Sequence, residues 1–302
     1  MRYGAAPELI ETRVFCELPS HLRNPRAADD VAGGRWQGGA PMDSLIEGPC
    51  FDSAGNLFLV DIPNGRILRV TACGDWSVVV QYDGEPNGLR RLSDGTFVIA
   101  DYKNGLLRLD AAAGKITPLA TRYHSERFKG PNDLIVARSG DIYFTDQGQS
   151  GLHSPTGRVF RLRTDGQLDC LLSNGPSPNG LVLSADEKIL FVAMTRDNAV
   201  WRLPLLSDGT TAKVGHFTQY HGAGGPDGMA LDADGNIFVA HASLGYVFVH
   251  NKHGDLIALI SSCRERMITN LAFGGRDRKT IYITESETGT VLLADWYCAG
   301  AQ

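Results

Sequence analysis

The sequence predicts an all-β chain folded as a six-bladed β-propeller with four-stranded antiparallel blades around a central channel. Three observations carry this prediction. The chain has 302 residues and 35 glycines spread along its length, against an average glycine share of about 7%. Segments with helical periodicity are nearly absent, which disfavours an α/β fold. One unit recurs six times: FDSAGNLFLVDIPNGRILRV, LSDGTFVIADYKNGLLRLD, ARSGDIYFTDQ, SADEKILFVAMTRDNAVWRLP, DADGNIFVAHASLGYVFVH and GRDRKTIYITESETGTVLLAD.

Each unit has a turn, an alternating apolar strand, a second turn and a second strand. Gly55, Gly95, Gly140 and Gly235 supply the positive φ that tight turns need. Phe58, Val60, Phe97, Ile99, Tyr143, Phe191, Phe238 and Tyr282 are β-branched or aromatic, as strands prefer. The third unit carries an insertion, Gln147 to Thr156, before its second strand GRVFRLR. Meanders of about 45 residues are the size of propeller blades. The units run from Glu47 to the C-terminus, so a single domain over 1–302 is expected. Within residues 1–46, Arg13 to Leu18 is expected to lend a closing strand to the last blade. His21 to Ala40, rich in Pro, Gly, Arg and Asp, reads as a loop or lid.

Composition removes several function classes. With 43% hydrophobic residues and a net charge of −5, disorder is disfavoured. The acidic balance speaks against a nucleic-acid partner. No apolar run reaches the roughly 18 residues of a membrane span. Glu8 and Glu11 interrupt the stretch where a secretory signal needs apolar residues, so the expected location is cytoplasmic. Cys16, Cys50, Cys73, Cys170, Cys263 and Cys298 show no C-x-x-C or zinc-type spacing and read as buried, reduced thiols. Oligomeric state is left open.

Aligning the units on their turns exposes a phase. Eight residues before each landmark stand Glu47, Asn87, Asn132, Asn179, Asp227 and Asn270. Equivalent positions on the innermost strands share one mouth of the channel, so six oxygen-bearing side chains are expected to converge there. Asn or Asp before Gly is also the commonest turn signal. Glu47 is the discriminating exception, since Glu is a poor turn former. An all-oxygen set suits a hard divalent cation, Ca²⁺ above all. Without His or Cys in the ring, a soft metal is disfavoured. Magnesium, manganese, iron or zinc are the alternatives.

The motifs EGP at 47–49, PNDL at 131–134, PNGL at 178–181 and PDGMALDADGNIFVA at 226–240 resemble the senescence-marker-protein/gluconolactonase/luciferin-regenerating family. The resemblance covers Glu47 to the C-terminus. It implies a six-bladed propeller that hydrolyses sugar lactones or related esters with one divalent metal. It also implies metal ligands at Glu47, Asn179 and Asp227. Asn132 then contacts substrate and completes the metal shell. Several sugar-lactonase members carry Arg two residues before that Asn. Here the position is Gly130, preceded by Lys129, which points either to Lys129 as a looser substrate contact or to a less hydroxylated substrate; Asn87 is a further substrate-binding candidate.

The implied reaction is attack of a metal-activated water on a small lactone. Asp227 is the expected general base, with Glu47 the alternative. Asn132 would orient substrate or stabilise the developing oxyanion. Asp133 could support it or serve a turn. Asp146 sits at a strand end like Asp61 and Asp101 and reads as structural. No G-x-S-x-G elbow is present. His221 and His241 lie near Asp227 in sequence and read as packed or solvated. The competing readings keep the metal for organophosphate or aryl esters, or make the chain a non-catalytic interaction scaffold.

Overall fold

Six antiparallel meanders succeed one another around an axis in a computed structural model that describes residues 6–24 and 42–301. Blade 1 comprises Ile46–Phe51, Leu57–Asp61, Arg66–Val70 and Trp76–Gln81. Blade 2 comprises Pro86–Arg91, Phe97–Asp101, Gly105–Asp110 and Lys115–Ala120. Blade 3 is Pro131–Val136, Ile142–Asp146, Gly157–Leu162 and Leu168–Gly175; blade 4 is Pro178–Leu183, Ile189–Met194, Ala199–Pro204 and Gly215–Gln219. Blade 5 is Pro226–Leu231, Ile237–His241, Tyr246–His250 and Leu256–Ser261. Blade 6 takes Ile268–Gly274, Thr280–Glu285 and Thr290–Asp295 from the end of the chain.

The fourth strand of blade 6 comes from the N-terminus. Arg13–Glu17 lies antiparallel to Thr290–Asp295, with Arg13 opposite Leu293 and Glu17 opposite Thr290. The chain's two ends are therefore joined within one sheet, which removes the open edge that a ring of blades otherwise leaves. Glu8–Glu11 adds a fifth strand to blade 5, parallel to Leu256–Ser261. Nothing in the sequence pattern announces that strand. The lid expected at His21 to Ala40 lies outside the described residues, apart from a single 3₁₀ turn at Ser20–Leu22 and the two residues after it.

The alternation expected along the strands is confined to the outer ones. Leu57–Asp61, Phe97–Asp101 and Ile142–Asp146 are buried at every position, because both faces of a blade are covered by its neighbours. Solvent reaches alternate residues only farther out, as at Arg69 and Arg108. The buried apolar side chains accordingly collect into six clusters, one in each seam between blades. Phe58 of blade 1 stacks on Phe97 of blade 2, centroids 4.6 Å apart. Phe144 and Phe160 meet Val98 and Leu134 in the next seam. The closing seam joins Leu18 and Val291 to Ile46, Leu57 and Leu59.

The six cysteines are free thiols, but only Cys50 is buried; Cys16, Cys170 and Cys298 are half-buried, and Cys73 and Cys263 are exposed. No helix among the described residues is long and apolar enough to cross a membrane.

Leu18 is 3% exposed and lies in the seam that closes the ring. Leu18→Ala should cost about 2–5 kcal/mol in urea unfolding. A cost below about 1 kcal/mol would show that closure does not depend on this seam.

Candidate metal centre and substrate cavity

The innermost strands all enter the channel in the same way. The first residue of each pairs with the end of the second strand: Ile46 with Asp61, Pro86 with Asp101, Pro131 with Asp146, Pro178 with Met194, Pro226 with His241, and Ile268 with Glu285. Just beyond this pair the ladders of blades 2 to 6 shift register, and that of blade 1 shifts after Glu47, which still lies opposite Val60. The next side chain leaves the sheet and faces the cavity. Those residues are Glu47, Asn87, Asn132, Asn179, Asp227 and Thr269, and all six line one cavity of about 670 Å³.

Thr269 takes the place that counting along the sequence assigns to Asn270. Blade 6 has a seven-residue innermost strand where the others have six. Counting back eight from Arg278, the turn landmark of blade 6, therefore lands one residue late. Asn270 belongs instead to a second layer with Gly48, Gly88, Asp133, Gly180 and Gly228, the residues that follow the other ring positions. This layer has almost no room. A Cβ on Gly180 would lie 2.2 Å from the Asp227 carbonyl oxygen, and one on Gly228 2.1 Å from Asn270 Cγ. The Asn-Gly and Asp-Gly pairs at the channel thus reflect crowding at the axis rather than tight turns.

Two sets of hydrogen bonds hold the strand entries. Asp61, Asp101 and Asp146 accept the N–H of Leu45, Glu85 and Gly130, at 3.1, 3.0 and 2.8 Å. Asp146 also pairs with Arg158, so its role is structural. Hydroxyls then link neighbouring blades. Thr145 donates to the Asn179 carbonyl at 2.8 Å, Thr195 to that of Pro226 at 2.8 Å, and Ser286 to that of Ile46 at 2.7 Å.

Like charges crowd the floor of the cavity. Burial pushes the Glu47 carboxyl up to about 7, reinforced by Asp133 and opposed by the Gly48 N–H at 2.6 Å and the Asn270 amide at 2.8 Å. Burial also holds Asp227 well above the usual carboxylate range, with Glu47 and Asp133 adding to it, while Asn179 and Arg196 counteract. Protein surrounds Asp227, which keeps part of its surface open to the cavity. Asp133 is raised by burial, and Arg90, 3.9 Å away, works against the shift. Arg90 reaches in from the opposite mouth, where it lines a second cavity with Arg91, Arg276 and Arg278.

Among the described residues no three His, Cys, Asp or Glu side chains form a metal-holding group. The available donors are instead two carboxylates, Glu47 and Asp227, with the amide oxygens of Asn179 and Asn132. The Asn132 amide N–H donates to Gln147 Oε1 at 3.1 Å, and Gln147 donates to Ser177 at 2.9 Å. That chain leaves the Asn132 oxygen as its free end. Asn87 lies on the same wall. Lys129 is not brought to the cavity: its ammonium donates to the Thr156 carbonyl at 2.7 Å, and it is absent from the lining. His241 is buried behind the wall, bonded to Asn198 at 3.1 Å, and burial pushes it down to about 4. His221 is exposed and outside the lining.

Gln147, Gln149, Ser150, Leu152 and His153 come from the blade 3 insertion and form one side of the cavity, though the sequence pattern singles out none of them individually. The interruption of the repeat was the available signal. Arg196, on the 3₁₀ turn Thr195–Asp197, carried no signal at all.

Residues 45–287 match the model of the SMP-30/gluconolactonase/LRE-like region. The chain belongs to the SMP-30/gluconolactonase/LRE-like family. It is 30% identical over 274 residues to a gluconolactonase of Zymomonas mobilis, covering 80% of this chain and 76% of that one. It is 32% identical over 232 residues to lactonase drp35 of Staphylococcus saprophyticus, covering 71% and 69%. Its fold matches regucalcin, described as a calcium-binding protein, from Agrobacterium tumefaciens, with a TM-score of 0.78, 21% identity, and coverage of 98% and 97%.

Two outcomes test this geometry. Gly180→Ala should lower the melting temperature and weaken divalent-cation binding at least about tenfold, since the new methyl must displace the Asp227 backbone. Gly215→Ala, with nothing within 4 Å of its Cβ, should change neither. In EDTA, folded Glu47 holds a proton up to about 7, whereas its ordinary value is 4.5. Protonation thus favours the folded state below about 4.5, and this contribution is lost as pH rises to about 7. Melting temperature in EDTA should fall over that interval more steeply than in Glu47→Gln. Added Ca²⁺ should raise it more at pH 8 than at pH 5.

Proposed function

We propose that the chain is a lactonase: it opens the ester ring of a small lactone at one divalent cation held by Glu47, Asn179 and Asp227. The observation that carries this reading is the pair of carboxylates on the floor of an open cavity, both raised by burial, Glu47 further by Asp133 and Asp227 further by Glu47 and Asp133. Two such groups among neutral amide oxygens fit a hard cation, which removes the repulsion that burial creates. Calcium is the best match to all-oxygen ligands. Such an ion, when bound, supplies a Lewis acid for the ester carbonyl and lowers the pKa of a coordinated water. The family and the lactonases among its relatives support the same substrate class.

The chain's own residues divide the remaining work. Asp227 faces the cavity and has a raised proton affinity, so it is suited to accept the proton of the attacking water. Asn132, fixed through Gln147 and Ser177, orients the ester. Asn87 offers a polar contact on the same wall. Blade 3's insertion screens the reacting atoms from bulk water on one side.

Glucono-δ-lactone hydrolysis should stop in chelator and return with Ca²⁺. Glu47→Gln and Asp227→Asn should each lower kcat at least about 100-fold. Full activity in both variants would refute the assignment.

A further inference from the structure

The cavity's charge is not used up by the reaction. Its floor carries Glu47 and Asp227, whose charges a divalent cation balances. Arg196 is the one lysine or arginine among the described lining residues, and it forms no ion pair among the described residues. Its backbone is fixed on both sides. The Arg196 N–H donates to the Pro176 carbonyl at 3.2 Å, Thr195 bonds to Pro226, and Asn198 bonds to the Gly222 carbonyl at 2.9 Å. A rigid turn therefore holds beside the cavity an exposed guanidinium whose charge acts on Asp227 but which makes no ion pair there.

A second nitrogen-bearing group stands beside it. A Cβ placed on Gly151 would lie 3.2 Å from His153 Nδ1 and 3.8 Å from Arg196 Cγ, so the two side chains flank one point on the wall. Blade 3 brings no lysine or arginine to the described lining. Gly130 is closed off by the Tyr102 ring, 2.3 Å from where its Cβ would lie, and the Tyr102 hydroxyl accepts from Gln149 at 2.7 Å. Guanidinium groups recognise carboxylate and phosphate through paired hydrogen bonds.

We propose that Arg196 makes this cavity selective for lactones that carry a second, non-reacting anionic group, a carboxylate or a phosphate. The proposal rests on the lactonase reading for its substrate and on Arg196 alone for its selectivity.

The test compares the Ca²⁺-loaded enzyme on three lactones: neutral glucono-δ-lactone, the carboxylate-bearing glucaro-1,4-lactone, and 6-phosphoglucono-δ-lactone. Wild type should prefer one of the two anionic lactones by kcat/KM, and that one identifies the anion. Arg196→Ala should raise KM for the preferred lactone about tenfold more than for the neutral one, while any change in kcat that acts through Asp227 should be shared by all three. Arg196→Lys should restore part of the difference. Equal losses on all three lactones, or a wild-type preference for the neutral one, would overturn the proposal. Calorimetric binding of 6-phosphogluconate, glucarate and gluconate separates the two readings. Tighter binding of a dianion by wild type, lost in Arg196→Ala, supports the Arg196 assignment even if no lactone is hydrolysed. Equal affinity for all three acids overturns it.

Discussion

The constraint on which the rest of the structure depends is the crowding of six innermost strands about one axis. At Gly48, Gly88, Gly180 and Gly228 a single added Cβ would meet a neighbouring strand at 2.1–2.8 Å, closer than real contacts allow. Only at Asp133 and Asn270 does this layer carry a side chain. The residues one step nearer the mouth then have one direction open to them, into the cavity. The ring of Glu47, Asn87, Asn132, Asn179, Asp227 and Thr269 is thus a geometric consequence of how tightly the layer beneath it is packed.

Such a ring is costly to hold together. Burying carboxylates beside one another opposes folding, since desolvation disfavours each charge and repulsion adds to it. The six apolar seams offset that cost. This is the physical sense of recruiting Arg13–Glu17 to finish blade 6. The Thr145, Thr195 and Ser286 hydroxyls act differently. They hold neighbouring strand entries in register, so that the polar side chains stay directed at one point. Stability is spread over the seams, and precision is concentrated at the entries.

Much of this is legible in the chain. Turn glycines mark blades 1, 2, 3 and 5, strand periodicity marks every blade, and the phase of the repeat finds five of the six ring positions. The sixth escapes because one extra residue in Ile268–Gly274 shifts the count without disturbing the alternation on either side. Asn-Gly pairs read as turns because the local signal for a turn and for a crowded strand entry is the same dipeptide. Lys129 looks like a substrate contact from its place in the chain, yet the fold carries its ammonium to Thr156. Arg196 gives no sign, since nothing next to it in sequence distinguishes it from a solvated arginine.

The sequence by itself determined the number of blades, their order, and the oxygen-rich character of the site. Those properties follow from local rules: a period of two along each strand, turn chemistry every few residues, and a fixed offset between turn and strand entry. Only the tertiary structure decided which side chains share the cavity, that Thr269 rather than Asn270 completes the ring, and that the one lysine or arginine on the described wall comes from blade 4. These depend on register between strands far apart in the chain and on the space left between them, and no local pattern encodes either.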